Sequence, residues 1–251
     1  MKKVIVITQN EPLYLYENIE RLLLEVDPKV HFSKFYILRP REYGKNMSQI
    51  SRFLKTIRVF GLRFVFNYII RRLFRKLVGK DDLKKLLKKH SISYELVTGD
   101  INSEMNVASV RKLDAKICVS ILGSQIFKSD IIKAVPVFLN LHSSLLPKHR
   151  GMLPSFWSIL KQDEEVGVSV FQVDVGIDTG PIVLQKRIKN NFKSQADFIR
   201  VTKNLGISAI IEVLNSDTLS FKDQSNYEIS YNSMPERSDV LRFYKLGKRF
   251  F

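Results

Sequence analysis

The sequence predicts an α/β protein with a Rossmann-like, mostly parallel sheet, a basic helical insertion and a short C-terminal extension. Short apolar runs rich in β-branched residues alternate with segments of helical periodicity, which is typical of a parallel sheet covered by helices. The segment from Arg52 to Lys89 interrupts this alternation with an excess of basic residues. After residue 214 only 37 residues follow, too few for an independent second domain.

Each element follows from its own pattern. Residues 3–8 form a β-branched run that ends in polar residues, and Pro12–Val26 repeats apolar residues at helical spacing. The last two strands flank a glycine-rich turn at 176–181 and are expected to pair across it. The expected strands are Lys3–Thr8, Phe35–Leu38, Tyr94–Val97, Ile117–Ile121, Val137–Leu141, Val168–Val173 and Ile182–Arg187. Helices are expected at Leu83–His90, Ser103–Leu113, Ser129–Ala134 and Ser194–Leu214, with another after Pro154 that bears Trp157.

The net charge of +16 is concentrated in one segment. Between Arg52 and Lys89, thirteen Lys or Arg residues stand against two Asp residues, and glycines at 61 and 79 break the run. The pattern predicts two or three basic amphipathic helices in an insertion at about residues 46–90. Three interpretations stay open: a solvated basic face, a surface for an anionic substrate or a membrane, and a nucleic-acid interface. No zinc-finger spacing or RNP-type motif accompanies the segment, which disfavours specific nucleic-acid binding.

Composition excludes several classes of protein. An apolar content of 45% excludes bulk disorder, and the single cysteine, Cys118, lies in an apolar run that predicts a buried thiol in a reducing compartment. No signal-peptide core or membrane span is evident, so a cytoplasmic location is expected, with the inner face of the membrane as the place where the basic segment would act. Dinucleotide, P-loop and α/β-hydrolase motifs are absent, and four histidines with one cysteine show no zinc-ligand spacing.

Chemically useful side chains cluster between residues 140 and 181. Asn140 and His142 are two residues apart at the end of a predicted strand, so both face one side of the sheet at its carboxyl edge, where α/β proteins bind ligands. Asp178 lies in a glycine-framed turn, where the backbone can approach a ligand and a carboxylate can reach an imidazole.

Three separated motifs closely resemble the formyltransferase family that uses 10-formyltetrahydrofolate. They are Asn140-x-His142-x-Ser144-Leu145-Leu146-Pro147-x-x-Arg150-Gly151, Gly167-Val168-Ser169-Val170, and Asp174-x-Gly176-Ile177-Asp178-Thr179-Gly180-Pro181-Ile182. The resemblance is clear from about Asn102 to Arg187 and is absent in the basic insertion. It implies the formyltransferase fold, with a catalytic domain at residues 1–214 and an extension at 215–251.

The resemblance implies that Asn140, His142 and Asp178 are the catalytic residues and that 10-formyltetrahydrofolate is the co-substrate, without a metal. Formyl transfer to an amine passes through a tetrahedral oxyanion, which an amide donor and a protonated imidazole stabilise. An imidazole can both accept and donate a proton near neutral pH, so His142 is expected to help move the amine's proton to the leaving folate nitrogen. Asp178 would orient and favour charged His142, or hold a water that relays the proton.

The family's folate pocket is formed largely by the backbone of two loops. By resemblance, the co-substrate-binding residues are Leu122, Gly123, Ser124, Gln125, Ile126, Asp174, Val175, Gly176 and Ile177. The residues expected to face the acceptor are Ser144, Arg150 and Trp157.

The acceptor expected from the resemblance is the amine of a nucleotide-linked amino sugar, as in surface-polysaccharide or O-antigen (lipopolysaccharide) biosynthesis. Arg and Lys suit its diphosphate, and a plain glycinamide ribonucleotide enzyme would not need the insertion. Methionyl-tRNA formyltransferases carry a C-terminal barrel that 37 residues cannot form. Both remain alternatives, as does a basic membrane- or RNA-binding protein on an inactive formyltransferase scaffold. The apolar tail is expected to pack on the core or on a second subunit, which leaves a homodimer open.

Overall fold

The computed structural model of the chain describes residues 1–39, 49–224 and 229–251, with the side chains of Gln49 and Arg52 outside that description. The expected start of the basic insertion, at about residue 46, also lies outside the described residues. In the described ranges the strands are β1 Lys2–Gln9, β2 Val30–Leu38, β3 Tyr94–Val97, β4 Ile117–Ile121, β5 Val137–His142, β6 Arg150–Gly151, β7 Glu165–Gln172, β8 Ile182–Lys189 and β9 Tyr231–Asn232. The helices are α1 Leu15–Glu25, α2 Gln49–Phe60, α3 Leu62–Leu77, α4 Leu83–Lys89, α5 Glu104–Lys112, α6 Ser129–Ile132, α7 Pro154–Leu160, α8 Gln195–Asn215 and α9 Arg237–Lys245.

The central sheet has the strand order β3-β2-β1-β4-β5-β7-β8. The five strands from β3 to β5 are mutually parallel, whereas β7 and β8 are antiparallel to their neighbours. The predictions of a mostly parallel sheet and of pairing across the glycine-rich turn are therefore confirmed. The strand expected at Phe35–Leu38 begins five residues earlier, because Val30 and Phe32 are also buried, and a register shift between Val4 and Ile5 accommodates its length.

Helices cover both faces of the sheet. On one face the strand residues Val4, Val119 and Leu139 pack with residues of α1, α4 and α8. On the other face Ile5, Cys118 and Phe138 pack with residues of α5 and α6. Cys118 is buried as predicted, and its burial raises the pKa of the thiol.

The C-terminal extension packs on the body of the chain. Phe243 of α9 and Phe250 share a cluster with Phe156 of α7 and Phe198 of α8, with several of the rings stacked. The apolar tail thus takes the first of its two expected positions. Periodicity missed α9, which begins with a capping box of Glu236 and Asp239, and β9, which is only two residues long.

The basic insertion forms α2 and α3, joined at Gly61, whose φ of 88° favours glycine. This is the helical break that the sequence predicts there. The next glycine, Gly79, follows the end of α3. None of the helices in the described ranges has the length and apolar character needed to cross a membrane.

Candidate active site

The candidate site lies at the carboxyl edge of the parallel strands. Asn140 and His142 are on β5, and they share its face with Phe138, which packs toward α5 and α6. Strand β4 on one side of β5 is parallel and β7 on the other is antiparallel, so the site lies where the sheet changes direction. Ligands of open α/β sheets bind in the crevice outside the carboxyl ends of the strands.

The imidazole of His142 is buried and held at both nitrogens. Its Nε2 lies 2.8 Å from the carbonyl oxygen of His149, and because a carbonyl only accepts, Nε2 carries a proton. Its Nδ1 lies 3.6 Å from Oδ2 of Asp178. That distance is longer than a hydrogen bond, so Nδ1 is the atom left to exchange a proton within the field of the carboxylate.

Asp178 is held in place by the backbone. Its Oδ2 accepts a hydrogen bond of 2.8 Å from the amide nitrogen of Gly151, which fixes the carboxylate beside His142. Its φ of 54° is a left-handed conformation that few aspartates adopt. The neighbouring Gly180 cannot carry a side chain, because a Cβ there would lie 1.8 Å from the carbonyl oxygen of Gln172. The glycine-framed turn of the sequence is thus a tightly built loop.

Asn140 differs from its neighbours in having a free amide. The side chain is half-buried and has no hydrogen-bond partner among the described residues. Since the strand places it on the face of His142, an amide donor and an imidazole converge on one space. An oxyanion that forms there would receive hydrogen bonds from both.

A second buried histidine supports the first. His149 has a φ of 57°, and its Nε2 lies 2.6 Å from Oδ2 of Asp163. Its Nδ1 lies 2.9 Å from Nδ2 of Asn232, a residue of the C-terminal extension. These contacts hold the backbone whose carbonyl binds His142. The sequence assigns no role to His149, and only its place within the first motif points to one.

The C-terminal extension also supports Asp178. Gln224 donates to the carbonyl oxygens of Asp178, at 3.2 Å, and Gly180, at 2.5 Å. The Oε1 of Gln224 accepts from Nη2 of Arg150 at 2.6 Å, and Nη1 of Arg150 donates to the Tyr231 hydroxyl at 2.9 Å. No motif marks Gln224, because all of its partners lie in a distant part of the chain.

The expected acceptor residues hold different positions. Arg150 is buried within the Gln224 network, so it links the first motif to Asp178. The Ser144 hydroxyl is buried and donates to the carbonyl of Lys148 at 2.7 Å, inside the turn. Trp157 donates from Nε1 to the carbonyl of Ser233 at 3.0 Å and packs in the aromatic cluster. All three have protein partners in the described residues.

The first expected folate loop, Leu122–Ile126, lies directly after β4. Leu122 has a φ of 61°, and a Cβ on Gly123 would lie 2.6 Å from the Ser120 hydroxyl oxygen. Gln125 is used internally: it accepts from the Ile101 amide and donates to the Gly99 carbonyl. The buried hydroxyls of Ser120 and Ser124 have no hydrogen-bond partner among the described residues. Such orphaned polar atoms fit a loop that binds a polar ligand.

The second expected folate loop, Asp174–Ile177, leads to Asp178. Asp174 accepts from the Gly176 amide at 3.1 Å and from the Thr179 hydroxyl at 2.6 Å, which closes the turn. Val175 and Ile177 are exposed at its rim, as is Ile126 on the first loop. The two loops therefore offer apolar side chains and backbone groups, which fits a flat heteroaromatic ligand. Among the described residues, no group of three or more His, Cys, Asp or Glu is placed to hold a metal ion.

An amide, an imidazole and a carboxylate at the carboxyl edge of a mostly parallel sheet are the groups with which an α/β enzyme can stabilise an oxyanion and move a proton. The particular family follows from sequence: the family model described as formyl transferase matches residues 82–214. That match covers more than half of the chain, so the chain belongs to the formyl transferase family.

Curated relatives match only in part. The chain is 29% identical to a methionyl-tRNA formyltransferase of Prochlorococcus marinus over 153 residues, which is 59% of this chain and 44% of that protein. The chain thus spans less than half the length of this relative.

Solved structures match over most of the chain. A sugar N-formyltransferase from Shewanella sp. aligns with 96% of this chain and 87% of its own, at 18% identity and a TM-score of 0.60. An N-formyltransferase from Helicobacter canadensis, in complex with folinic acid and dTDP-3-aminofucose, aligns with 95% and 72%, at 20% identity and a TM-score of 0.59. A glycinamide ribonucleotide transformylase from Symbiobacterium toebii aligns with 86% of each chain, at 13% identity and a TM-score of 0.59. At these identities the likeness shows the fold.

Proposed function

We propose that the protein is a cytoplasmic enzyme that transfers the formyl group of 10-formyltetrahydrofolate to the amine of a nucleotide-linked amino sugar, in the assembly of surface polysaccharides. The single observation that carries formyl transfer is the juxtaposition of Asn140, His142 and Asp178 at the carboxyl edge of a formyl transferase sheet.

The three side chains divide the chemistry. The acceptor nitrogen attacks the formyl carbon, and the carbonyl oxygen takes up negative charge as the carbon becomes tetrahedral. The Asn140 amide donates to that oxygen, and Nδ1 of protonated His142 supplies a second donor. As the carbon–nitrogen bond breaks, Nδ1 gives its proton to the leaving folate nitrogen and then takes up the proton lost by the amine, which restores the imidazolium. The Asp178 carboxylate lies 3.6 Å from Nδ1 and faces the nitrogen through which the proton moves.

The rest of the site holds this geometry and the ligands. His149 and Gly151 fix His142 and Asp178, and both are in turn tied to the C-terminal extension. The loops Leu122–Ile126 and Asp174–Ile177 would bind the folate between them, with their exposed apolar side chains on its rings. Ser144, Arg150 and Trp157 would shape the acceptor side of the site through the turn that they stabilise, because their polar groups have protein partners.

Two observations support an amino sugar as acceptor. The solved sugar N-formyltransferase and the Helicobacter N-formyltransferase align with 96% and 95% of this chain, against 86% for the glycinamide ribonucleotide enzyme. The Helicobacter structure holds a dTDP-linked aminosugar beside a folate derivative. A tRNA acceptor is the second candidate, because the curated relatives are methionyl-tRNA formyltransferases.

The test is an acceptor panel. The protein is incubated with 10-formyltetrahydrofolate and, separately, dTDP- and UDP-linked 3-amino and 4-amino sugars, glycinamide ribonucleotide and initiator methionyl-tRNA, while tetrahydrofolate release is followed. Release is expected with at least one nucleotide-linked amino sugar. Met105→Ala, at an exposed position on α5, serves as the control variant and is expected to act like the wild type.

The outcomes separate the candidates. Release with methionyl-tRNA or glycinamide ribonucleotide alone would reject the sugar acceptor and keep formyl transfer. Absence of release with every acceptor, from a folded protein, would reject formyl transfer and favour a binding protein on an inactive scaffold.

A further inference from the structure

Helix α3 presents a continuous apolar stripe to the outside of the molecule. Its members recur every three or four residues, so they lie along one face of the helix. They include Phe66, which is 64% exposed, and Leu77, which is 85% exposed. The whole stripe comprises Leu62, Phe66, Ile69, Ile70, Leu73, Phe74 and Leu77, and α2 adds exposed Ile50, Phe53 and Leu54.

The opposite side of the two helices is firmly attached to the protein. Phe60 and Phe64 stack with ring centroids 4.8 Å apart, and both pack against Phe250. At the other end of α3, Arg75 forms an ion pair with Glu17 and donates to the carbonyl oxygen of Pro12 at 3.2 Å. The exposed stripe is therefore not a consequence of a loosely placed segment. Monomeric proteins rarely leave a continuous apolar surface of this kind without a partner.

The same helices are strongly basic. Residues 49–80 contain nine Lys or Arg and no Asp or Glu. Six of the bases form no ion pair with any described residue, and Arg63 and Lys76 lie at the borders of the apolar stripe. Long basic side chains placed there can extend to a charged surface while their stems cover apolar groups. The six bases without an ion pair are Lys55, Arg58, Arg63, Arg71, Arg72 and Lys76, of which Arg71 lies over the Phe251 ring.

We propose that the outer face of α2 and α3 docks on an anionic lipid bilayer. An apolar stripe bordered by unpaired bases matches both layers of such a surface, the acyl chains and the negative headgroups. A second copy of the chain fits less well, because its α2 and α3 would bring nine bases against nine without an acid between them. A nucleic acid would pair with the bases but leave the apolar stripe in water.

The docking face is attached beside the candidate active site. The Arg75 contact to Pro12, and the hydrogen bond of 3.0 Å from the Leu83 amide to Oδ1 of Asn10, both engage the loop after β1. That loop lies at the carboxyl edge of the sheet, as does His142. Docking would therefore hold this edge close to the membrane surface. The proposal does not depend on which acceptor the enzyme uses.

The test is co-sedimentation of the full chain with vesicles of phosphatidylcholine alone or of phosphatidylcholine with phosphatidylglycerol. Binding to the anionic vesicles is expected, with a marked loss at high salt. The double variant Arg72→Gln/Lys76→Gln is expected to bind about thirty-fold more weakly, from the charge lost at each position. Phe66→Ser/Leu73→Ser is expected to bind at least about tenfold more weakly, because it removes two large groups from the stripe.

Matched controls place the same changes elsewhere on the surface. Leu24→Ser/Met105→Ser alters exposed apolar residues of α1 and α5 and is expected to bind like the wild type. Tetrahydrofolate release in solution is expected to be unchanged in every variant. A failure of membrane binding can therefore be distinguished from a failure of formyl transfer. Equal binding to both vesicles, no binding to either, or full binding by the stripe variant would overturn it. Dimerisation that the stripe variant abolishes, without vesicle binding, would assign the face to a second copy instead.

Discussion

The candidate site and the α2–α3 helices are built on opposite principles. At the site, most polar groups are buried and bound to backbone atoms, and left-handed residues such as Asp178 and His149 set the geometry. Along α2 and α3, large apolar side chains are exposed and six bases lack ion pairs with described residues. The buried polar groups of the site have their partners within the protein, whereas the exposed residues of α2 and α3 have the composition of a surface that binds a partner.

The aromatic cluster joins the two regions. Phe250 of the C-terminal extension contacts Phe60 and Phe64 on one side and Phe156 of α7 on the other. The extension thus supports the site through Gln224 and Asn232 and anchors the helices through its last aromatic residues. Both regions depend on a segment that the family motifs do not include.

The largest effect on stability is expected when an aromatic ring of the buried cluster is removed, and a much smaller one when a ring of the exposed stripe is removed. Phe250→Ala removes a buried ring from the cluster and is expected to lower the free energy of unfolding by about 3–5 kcal/mol. Phe66→Ala, on the exposed stripe of α3, is expected to change it by less than about 0.5 kcal/mol. Urea unfolding followed by circular dichroism measures both. Similar losses in the two variants would show that the stripe is packed against the protein in solution.

A smaller effect is expected at Lys203 on α8, a buried lysine near Glu11 of the loop after β1. Burial lowers the pKa of Lys203 to about 8, and the nearby Glu11 carboxylate, in the loop that also contacts α3, offsets only part of that shift. Because the folded pKa lies below the unfolded value, the unfolded state binds more protons between about pH 8 and 10. The free energy of unfolding should rise with pH across this window.

The variant Lys203→Met tests whether the buried amine of Lys203 lowers the free energy of unfolding. The variant is expected to unfold with a free energy roughly 1–3 kcal/mol higher at pH 7, and the pH-dependent rise should be weaker than in the wild type. Urea midpoints at pH 7 and pH 9.5 measure both effects, with the exposed Lys116→Met as control. An identical pH dependence in Lys203→Met and the wild type would show that this amine is solvated.

Pattern alone predicted the regular part of the molecule. The strands of the parallel sheet are predicted because buried strands appear as apolar runs. The position of Asn140 and His142 at the end of a strand predicts the carboxyl edge, and the alternation of side chains predicts their shared face. Gly61 was predicted as a helical break because no side chain opposes a positive φ there.

The remaining features lack a local signal. Gln224 and Asn232 act through hydrogen bonds to residues 46 and 83 positions away, so neither shows periodicity or a motif. Strand β9 is two residues long, which is below what alternation can reveal. Whether a basic face is solvated or binds a partner depends on which side chains the fold leaves exposed. The sequence does not show this, because exposure depends on how α2 and α3 pack against the aromatic cluster.

One assay tests directly whether the chemistry takes place at the candidate site and not at the α2–α3 helices. Tetrahydrofolate release, with the acceptor found in the panel, is measured for the wild type, His142→Ala and Phe66→Ser/Leu73→Ser. His142→Ala is expected to lose a factor of about 10²–10⁴ while its circular dichroism spectrum stays native, because the proton path and an oxyanion donor disappear together. The stripe variant is expected to retain the wild-type rate. Full activity in His142→Ala, or its loss in the stripe variant alone, would contradict the assignment of the chemistry to Asn140, His142 and Asp178.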